Sequence, residues 1–307
     1  MADIRFDGRV ALVTGAGVGL GRSHALGLAA RGAKVVVNDL GVATDGTATG
    51  SEAAQSVVAE IEAMGGEAMA HGADVANAEQ VADMVAQTID RWGQIDILIN
   101  NAGILRDKTF GKMTLDDFAK VVSVHLQGTA TCCHAVWPHM RAAQYGRIVL
   151  TTSASGLYGN FGQSNYGAAK AGMMGLMNVL HLEGARDNIR VNTLAPTAAT
   201  RMTESLMPPE ALELLQPETI TPGVLYLVSE DGPSRVILGA GAGVFAQTRV
   251  YETTGQFIPG DITPEAVAAH WGAITDPDGQ EELENAFAQT RKFAKRAAEE
   301  KGVKLDW

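Results

Sequence analysis

Cysteine is almost absent. The only two, Cys132 and Cys133, are neighbours and cannot close an ordinary disulfide on each other, which fits a reducing compartment. No apolar run reaches the ~18 residues that a membrane span requires, and the N-terminal MADIRFDGRV lacks an apolar signal core. Positive charge is in the minority: 24 Lys and Arg against 35 Asp and Glu leave a formal net charge of -11. Such a chain repels a polyanionic backbone, which argues against nucleic acid as a partner. These shortages together point to a cytosolic protein with no membrane or nucleic-acid role, in which any bound anion must be held by local N–H groups.

What the chain does have is glycine, 35 residues of it, beside a hydrophobic fraction of 46%, the composition of an ordered globular protein with many tight turns. Apolar runs bounded by turn residues alternate with segments of helical period, the pattern of βαβ units in a Rossmann-type, doubly wound α/β parallel sheet. Strands are predicted at Val10 to Thr14, Lys34 to Asp39, Glu67 to Asp74, Ile95 to Asn100, Gly146 to Thr152 and Ile189 to Leu194, with a seventh at Ser234 to Gly239. Helices are predicted at Leu20 to Arg31, Ser51 to Met64, Ala78 to Trp92, Thr114 to Arg141, Tyr166 to Glu183 and Thr221 to Ser229. In the second helix Ala54, Val57, Val58, Ile61 and Met64 form one stripe. Residues 1–244 form the expected dinucleotide-binding domain. Residues 245–307 form a C-terminal extension, closed by a charged helix from Asn285 to Lys301 whose Phe287 and Phe293 are expected to pack on the body or a partner subunit. Thr200 to Pro217, rich in Met, Pro and Glu, stands where a lid would lie.

The run Thr14-Gly15-Ala16-Gly17-Val18-Gly19-Leu20-Gly21 falls between a strand and a helix, where a dinucleotide phosphate meets helix N–H groups. Asp39 ends the second strand, at the distance where a carboxylate accepts hydrogen bonds from ribose hydroxyls. A 2'-phosphate would meet that charge at close range, and neither Ala16, Leu40 nor Gly41 supplies a cation, so NAD is favoured over NADP. Downstream, Tyr166 and Lys170 are four apart and share one helix face. An ammonium beside a phenol favours the phenolate and makes the tyrosine usable as a base, while Ser153 can hydrogen-bond the same substrate oxygen. Cys132, Cys133, His134 and His139 are close in sequence, but neighbours on a helix diverge, so no metal site is expected.

These pieces together resemble the short-chain dehydrogenase/reductase family, over about the first 245 residues: Thr14 to Gly21, Asp74-Val75, Asn100-Asn101-Ala102-Gly103, Ser153, Tyr166, Lys170 and Ala195-Pro196. The resemblance implies that Asp74 and Val75 hold adenine, that Asn101, Ala102 and Gly103 support the cofactor, and that Pro196 and Thr197 lie beside the nicotinamide. It further implies Ser153 as substrate-orienting hydroxyl, Tyr166 as acid/base, Lys170 on the nicotinamide ribose, and a homodimer or tetramer through the helices around Tyr166 and before the fifth strand. One position departs: where the family carries an Asn, Val124-His125-Leu126-Gln127-Gly128 carries His125, which could serve as a relay group or as a buried structural imidazole.

A narrower similarity runs through Val36 to Gly41, Asn100 to Asp107, Val124 to Gly128, Thr152 to Asn165, Arg201-Met202-Thr203 and Gly239 to Gly243. It is to the (3R)-hydroxyacyl-CoA dehydrogenase modules of peroxisomal multifunctional enzymes of type 2, here as a bacterial stand-alone relative. It implies oxidation of a (3R)-3-hydroxyacyl-CoA, with steroid alcohols as further substrates; Arg106, Lys108 and Lys112 are candidate CoA-phosphate ligands, the alternative being a solvated loop face. Two rivals remain: an NADPH-dependent 3-oxoacyl-carrier-protein reductase, opposed by Asp39 and the long extension, and a non-catalytic nucleotide-binding scaffold, opposed by the intact Ser153, Tyr166 and Lys170.

Overall fold

Strand residues of alternating face build two separate cores. In the computed structural model, which describes residues 3–41, 52–198 and 208–305, Ala11 and Val13 of strand β1 (Val10–Thr14) enter one apolar cluster and Leu12 enters the other. The same division holds for Val35 and Val37 against Val36 in β2 (Lys34–Asn38), and for Ile97 and Ile99 against Leu98 in β4 (Ile97–Asn100). Both faces are apolar because helices cover both, as a parallel sheet requires.

The sheet has eight strands, in the order β3-β2-β1-β4-β5-β6-β7-β8, completed by β3 (Ala68–His71), β5 (Gly146–Thr151), β6 (Ile189–Pro196), β7 (Ile237–Gly241) and β8 (Val244–Thr248). Pairing is parallel from β3 across to β7. The count exceeds the predicted seven because Ala242 and Gly243, at φ 50° and 75°, turn the chain back into a last strand. That tight turn was hidden in a run of small residues. The seventh strand begins at Ile237 rather than Ser234, since Arg235 takes a positive φ of 64°.

Helices α1 (Gly19–Ala29), α2 (Glu52–Ala63) and α3 (Ala78–Trp92) follow the prediction closely. In α2 the stripe of Ala54, Val57 and Ile61 is buried, whereas Met64 lies past the helix end and is exposed. The single helix predicted from Thr114 to Arg141 is instead α4 (Leu115–Val122), a π-helical turn over Ser123–Gln127, and α5 (Gly128–Ala143). Then come α6 (Ala154–Tyr158), α7 (Ser164–Gly184), α8 (Pro209–Leu214) and α9 (Thr221–Leu227). The first part of the predicted lid lies outside the described residues, and its remainder includes α8.

The chain divides into two units after Gln247. The second contains α10 (Pro264–Ala269), α11 (Trp271–Ile274) and α12 (Ala286–Lys301), the last capped by the Asn285 side chain, which accepts the Ala288 N–H at 2.9 Å. Lys292 of α12 joins Glu252 at 3.1 Å and Glu281 at 3.4 Å within this unit. Phe287 and Phe293 are each 53% exposed. No helix among the described residues is long and apolar enough to cross a membrane.

Candidate active site

The order of strands reverses between β1 and β4, and at such a switch point the carboxyl ends of two strands diverge and leave a crevice. A cleft of about 360 Å³ opens there, lined by the ends of β1, β2, β4, β5 and β6. Most of the expected site residues line it: Gly15, Gly19, Leu20, Asp39, Asp74, Val75, Asn101, Ala102, Gly103, His125, Ser153, Tyr166, Lys170 and Pro196. Gly17, Gly21 and Thr197 do not. The Gly17 N–H instead donates to Asp39, Gly21 packs against the Gly15 carbonyl, and the Thr197 N–H is used by Ala240 O at 2.8 Å.

The glycine loop is a built cradle. Gly15 and Gly19 have φ of 62° and 56°, the left-handed region that glycine enters without strain. A Cβ at Gly21 would stand 2.1 Å from the Gly15 oxygen. Asn101 clamps the loop from the end of β4, its side-chain amide donating to Thr14 O at 3.2 Å and to Gly15 O at 3.0 Å, while Thr14 Oγ1 accepts the Asn101 and Ala102 N–H groups. The Asp39 carboxylate accepts the Gly17 and Gly41 N–H groups, both at 2.8 Å, and is thereby fixed at the rim. Arg22, on the helix that follows the glycine loop, is paired with Glu60. A loop in which Cβ atoms at Gly15, Gly17 and Gly21 would strike Ala102, Asp39 and the Gly15 carbonyl, next to a fixed carboxylate, fits the pyrophosphate and ribose of a nicotinamide dinucleotide.

At the other end, Ser153 caps α6, its Oγ accepting the Ser155 N–H at 3.2 Å, and it lines the cleft together with Tyr166. Lys170 is buried, donates to Thr151 O, and holds its Nζ 5.5 Å from the Tyr166 ring centre. Burial drops the Lys170 ammonium to about 7. The tyrosine departs from the expected direction. Burial lifts the Tyr166 phenol, the Ser153 hydrogen bond works against that, and the Asp107 carboxylate reinforces it. Withdrawal from water sets the direction, an effect of depth that helical spacing does not reveal.

His125 is buried on the π-helical turn and stands edge-on to Tyr166, with ring centres 5.1 Å apart at 87°. Its Nε2 lies 2.8 Å from Ile104 O and 3.1 Å from the Ile104 N. Burial, then the Lys170 charge, drop the imidazole to about 3, so it is neutral. Gly103 makes the space, since a Cβ there would fall 2.2 Å from His125 Cε1. Nδ1 has no partner.

Cleft residues that sequence reasoning did not single out include Lys120, Ser155, Asn160 and Gln163. Only Gln163, three before Tyr166, had a positional signal. Arg106 and Lys108 both reach the Asp117 carboxylate, at 2.9 and 3.1 Å, which accords with a solvated loop face. Cys132 and Cys133 are core residues with thiols raised by burial, Cys133 to about 12.

The profile of the short chain dehydrogenase family matches residues 9–211. A short-chain type dehydrogenase/reductase of Mycobacterium tuberculosis is 48% identical over 88% of this chain and 95% of its own length. The solved full-length peroxisomal multifunctional enzyme type 2 of Drosophila melanogaster superposes with a TM-score of 0.81 at 37% identity, covering 97% of this chain and 50% of that one. A 7α-hydroxysteroid dehydrogenase solved with NADH and 7-oxo glycochenodeoxycholic acid superposes with a TM-score of 0.71 at 30% identity, over 79% of this chain and 98% of that one. This chain therefore spans about half the length of the multifunctional relative.

Proposed function

The chain belongs to the short-chain dehydrogenase family and is an oxidoreductase, and from that premise we propose that it oxidises the secondary alcohol of a (3R)-3-hydroxyacyl-CoA with NAD. The observation that carries this reading is the meeting, in one cleft, of the fixed Asp39 carboxylate with Ser153, Tyr166 and Lys170. Asp39 supports NAD because two of its acceptor sites are already used by backbone N–H groups and it still presents negative charge where a 2'-phosphate would fall. The acyl-CoA class is supported by likeness to the peroxisomal multifunctional enzyme, and steroid alcohols by likeness to the hydroxysteroid dehydrogenase.

The bound nicotinamide would supply the hydride acceptor. The chain's own residues do the rest. Asn101 holds the glycine loop in shape, Ser153 fixes the alcohol oxygen, and Tyr166 takes the hydroxyl proton, returning it when the reaction runs in reverse. Lys170, charged for only part of the time near neutrality, favours the phenolate whenever it holds its proton. His125, neutral and locked against Ile104, supports the edge of the Tyr166 ring.

Initial rates on a panel of 3R- and 3S-hydroxyacyl-CoAs and steroid alcohols, each with NAD and NADP, test this. Turnover is expected on the 3R thioesters with NAD, and Tyr166→Phe should lower it between about a hundred-fold and ten-thousand-fold. Exclusive use of 3S substrates, or preference for NADP, would overturn the assignment.

A further inference from the structure

Lys120 of α4 is half-buried and lines the cleft, and among the described residues its ammonium has no ion pair and no hydrogen bond. Partners are within reach. Asp116 stands four residues before it, the spacing and order at which an acid and a lysine pair on one helix, and Asp117 stands three before it. Asp117 instead takes Arg106 and Lys108 of the rim loop, at 2.9 and 3.1 Å, and the rim carboxylate Asp107 accepts Gln163 Nε2 at 2.7 Å. A lysine that merely laid its stem on apolar surface would still gain from the Asp116 carboxylate. Lys120 forgoes that pairing and joins the cleft wall.

The residues that follow show which part of the cleft it belongs to. Val124, four further on, also lines the cleft, and Gly128, four beyond that, packs against Val75, where a Cβ would fall 2.8 Å from Val75 Cγ2. The helical run thus leads from Val75, the residue expected at the adenine, up to Lys120 and the rim loop. This wall is short of positive charge. Asp39 and Asp74 line it as well, and its other lysine, Lys170, is buried and donates to Thr151 O. A phosphate entering a chain of net charge -11, past two carboxylates, gains most from a cation with no other partner.

We propose that Lys120 is a phosphate ligand of the cleft, its ammonium serving the pyrophosphate of the dinucleotide or the phosphates of a CoA thioester. The bound anion is then held by a cation as well as by the N–H groups of the glycine loop. The proposal rests on the preceding reading only in taking the cleft to bind a nucleotide.

Lys120→Gln and Lys120→Met remove the charge and keep much of the stem, Lys120→Arg keeps the charge, and circular dichroism checks that each full chain is folded. Calorimetric titration with NAD, and of the NAD-saturated protein with free CoA, gives two dissociation constants without turnover. At least one should weaken about ten-fold in Lys120→Gln and Lys120→Met and stay within about two-fold in Lys120→Arg. The loss should shrink between about 20 mM and about 500 mM salt, as the field of the ammonium is screened. Loss in the NAD arm assigns the pyrophosphate, and loss in the CoA arm assigns the phosphates of the thioester. Adenosine and a hydroxyacyl N-acetylcysteamine thioester, which carry no phosphate, should bind the variants as they bind the wild type. Unchanged constants for both NAD and CoA would overturn the proposal, and so would a wild type that binds neither. An equal loss for adenosine would overturn it too, because the ammonium would then meet the base rather than a phosphate. A weakened NAD constant in a protein that turns over no hydroxyacyl-CoA would sink the substrate assignment and leave the role of Lys120 standing.

Discussion

At the scale of single residues, the chemistry was legible where it depends on spacing along the chain and hidden where it depends on what surrounds a group. Tyr166 and Lys170, four apart, do share a helix face, and Ser153 lines the same cleft. Depth was not legible, and it sets the sign of both ionisations. Lys170 illustrates the consequence for stability. Burial lowers its ammonium to about 7, against the ordinary lysine value of about 10.4 that the unfolded chain keeps. Between those values the unfolded chain holds a proton that the native one has released, so native stability rises with pH across that window and is lowest at and below neutrality. Lys170→Met removes the buried charge. In the absence of nucleotide it should melt roughly 5 °C above the wild type at about pH 7, with the gap closing towards about pH 10. Melting curves at the two pH values check this, and a gap that stays constant would show that burial does not penalise the ammonium.

At the scale of elements, strands and covering helices were legible because a doubly covered sheet writes continuous apolar runs and amphipathic helices write stripes. The exception was the predicted helix from Thr114 to Arg141. Its interior contains no Pro or Gly before Gly128, and the π-helical turn at Ser123–Gln127 carries His125 into the space left by Gly103, a contact 22 residues away in the chain. Such turns mark functional sites, and here the element break carries an imidazole to the edge of Tyr166. The Asp107–Gln163 link was hidden for the same reason, since 56 residues separate its partners. The strand–loop–helix unit from β1 to α1, by contrast, was legible down to the glycines. Gly21→Ala would set a methyl 2.1 Å from the Gly15 oxygen and 2.6 Å from Asn101 Nδ2, and the Gly15 contact is backbone that cannot step aside cheaply. The loop must open, so KM for NAD should rise about ten-fold or more, with kcat affected less. Unchanged nucleotide affinity in a binding titration would contradict the cradle as drawn.

At the scale of the whole molecule, the net charge of -11 bears on self-association as well as on partners. Two such chains repel at long range, but at physiological salt the field decays over about 8 Å, so apolar area can overcome it. That area is present on α7, where Val179 and Leu182, 52% and 49% exposed, are three apart and share a face. Beside them Trp137 and Arg141 of α5 form a groove with Leu182, Glu183 and Arg186. Large apolar side chains gathered along a helix pair mark a surface that a second copy would cover. We therefore expect a dimer or tetramer at micromolar concentration, with α5 and α7 facing their counterparts. In an interface related by a two-fold axis, each substitution on α7 occurs on both sides. The pair Val179→Asp and Leu182→Asp would thus bring four new carboxylates towards one another and remove the apolar contact in the same step. Sedimentation velocity should show the wild type as an assembly and the double variant at half its mass, with the native circular dichroism retained. A wild type that sediments only as a monomer would refute the expectation, and a variant that stays fully assembled would move the interface away from this face.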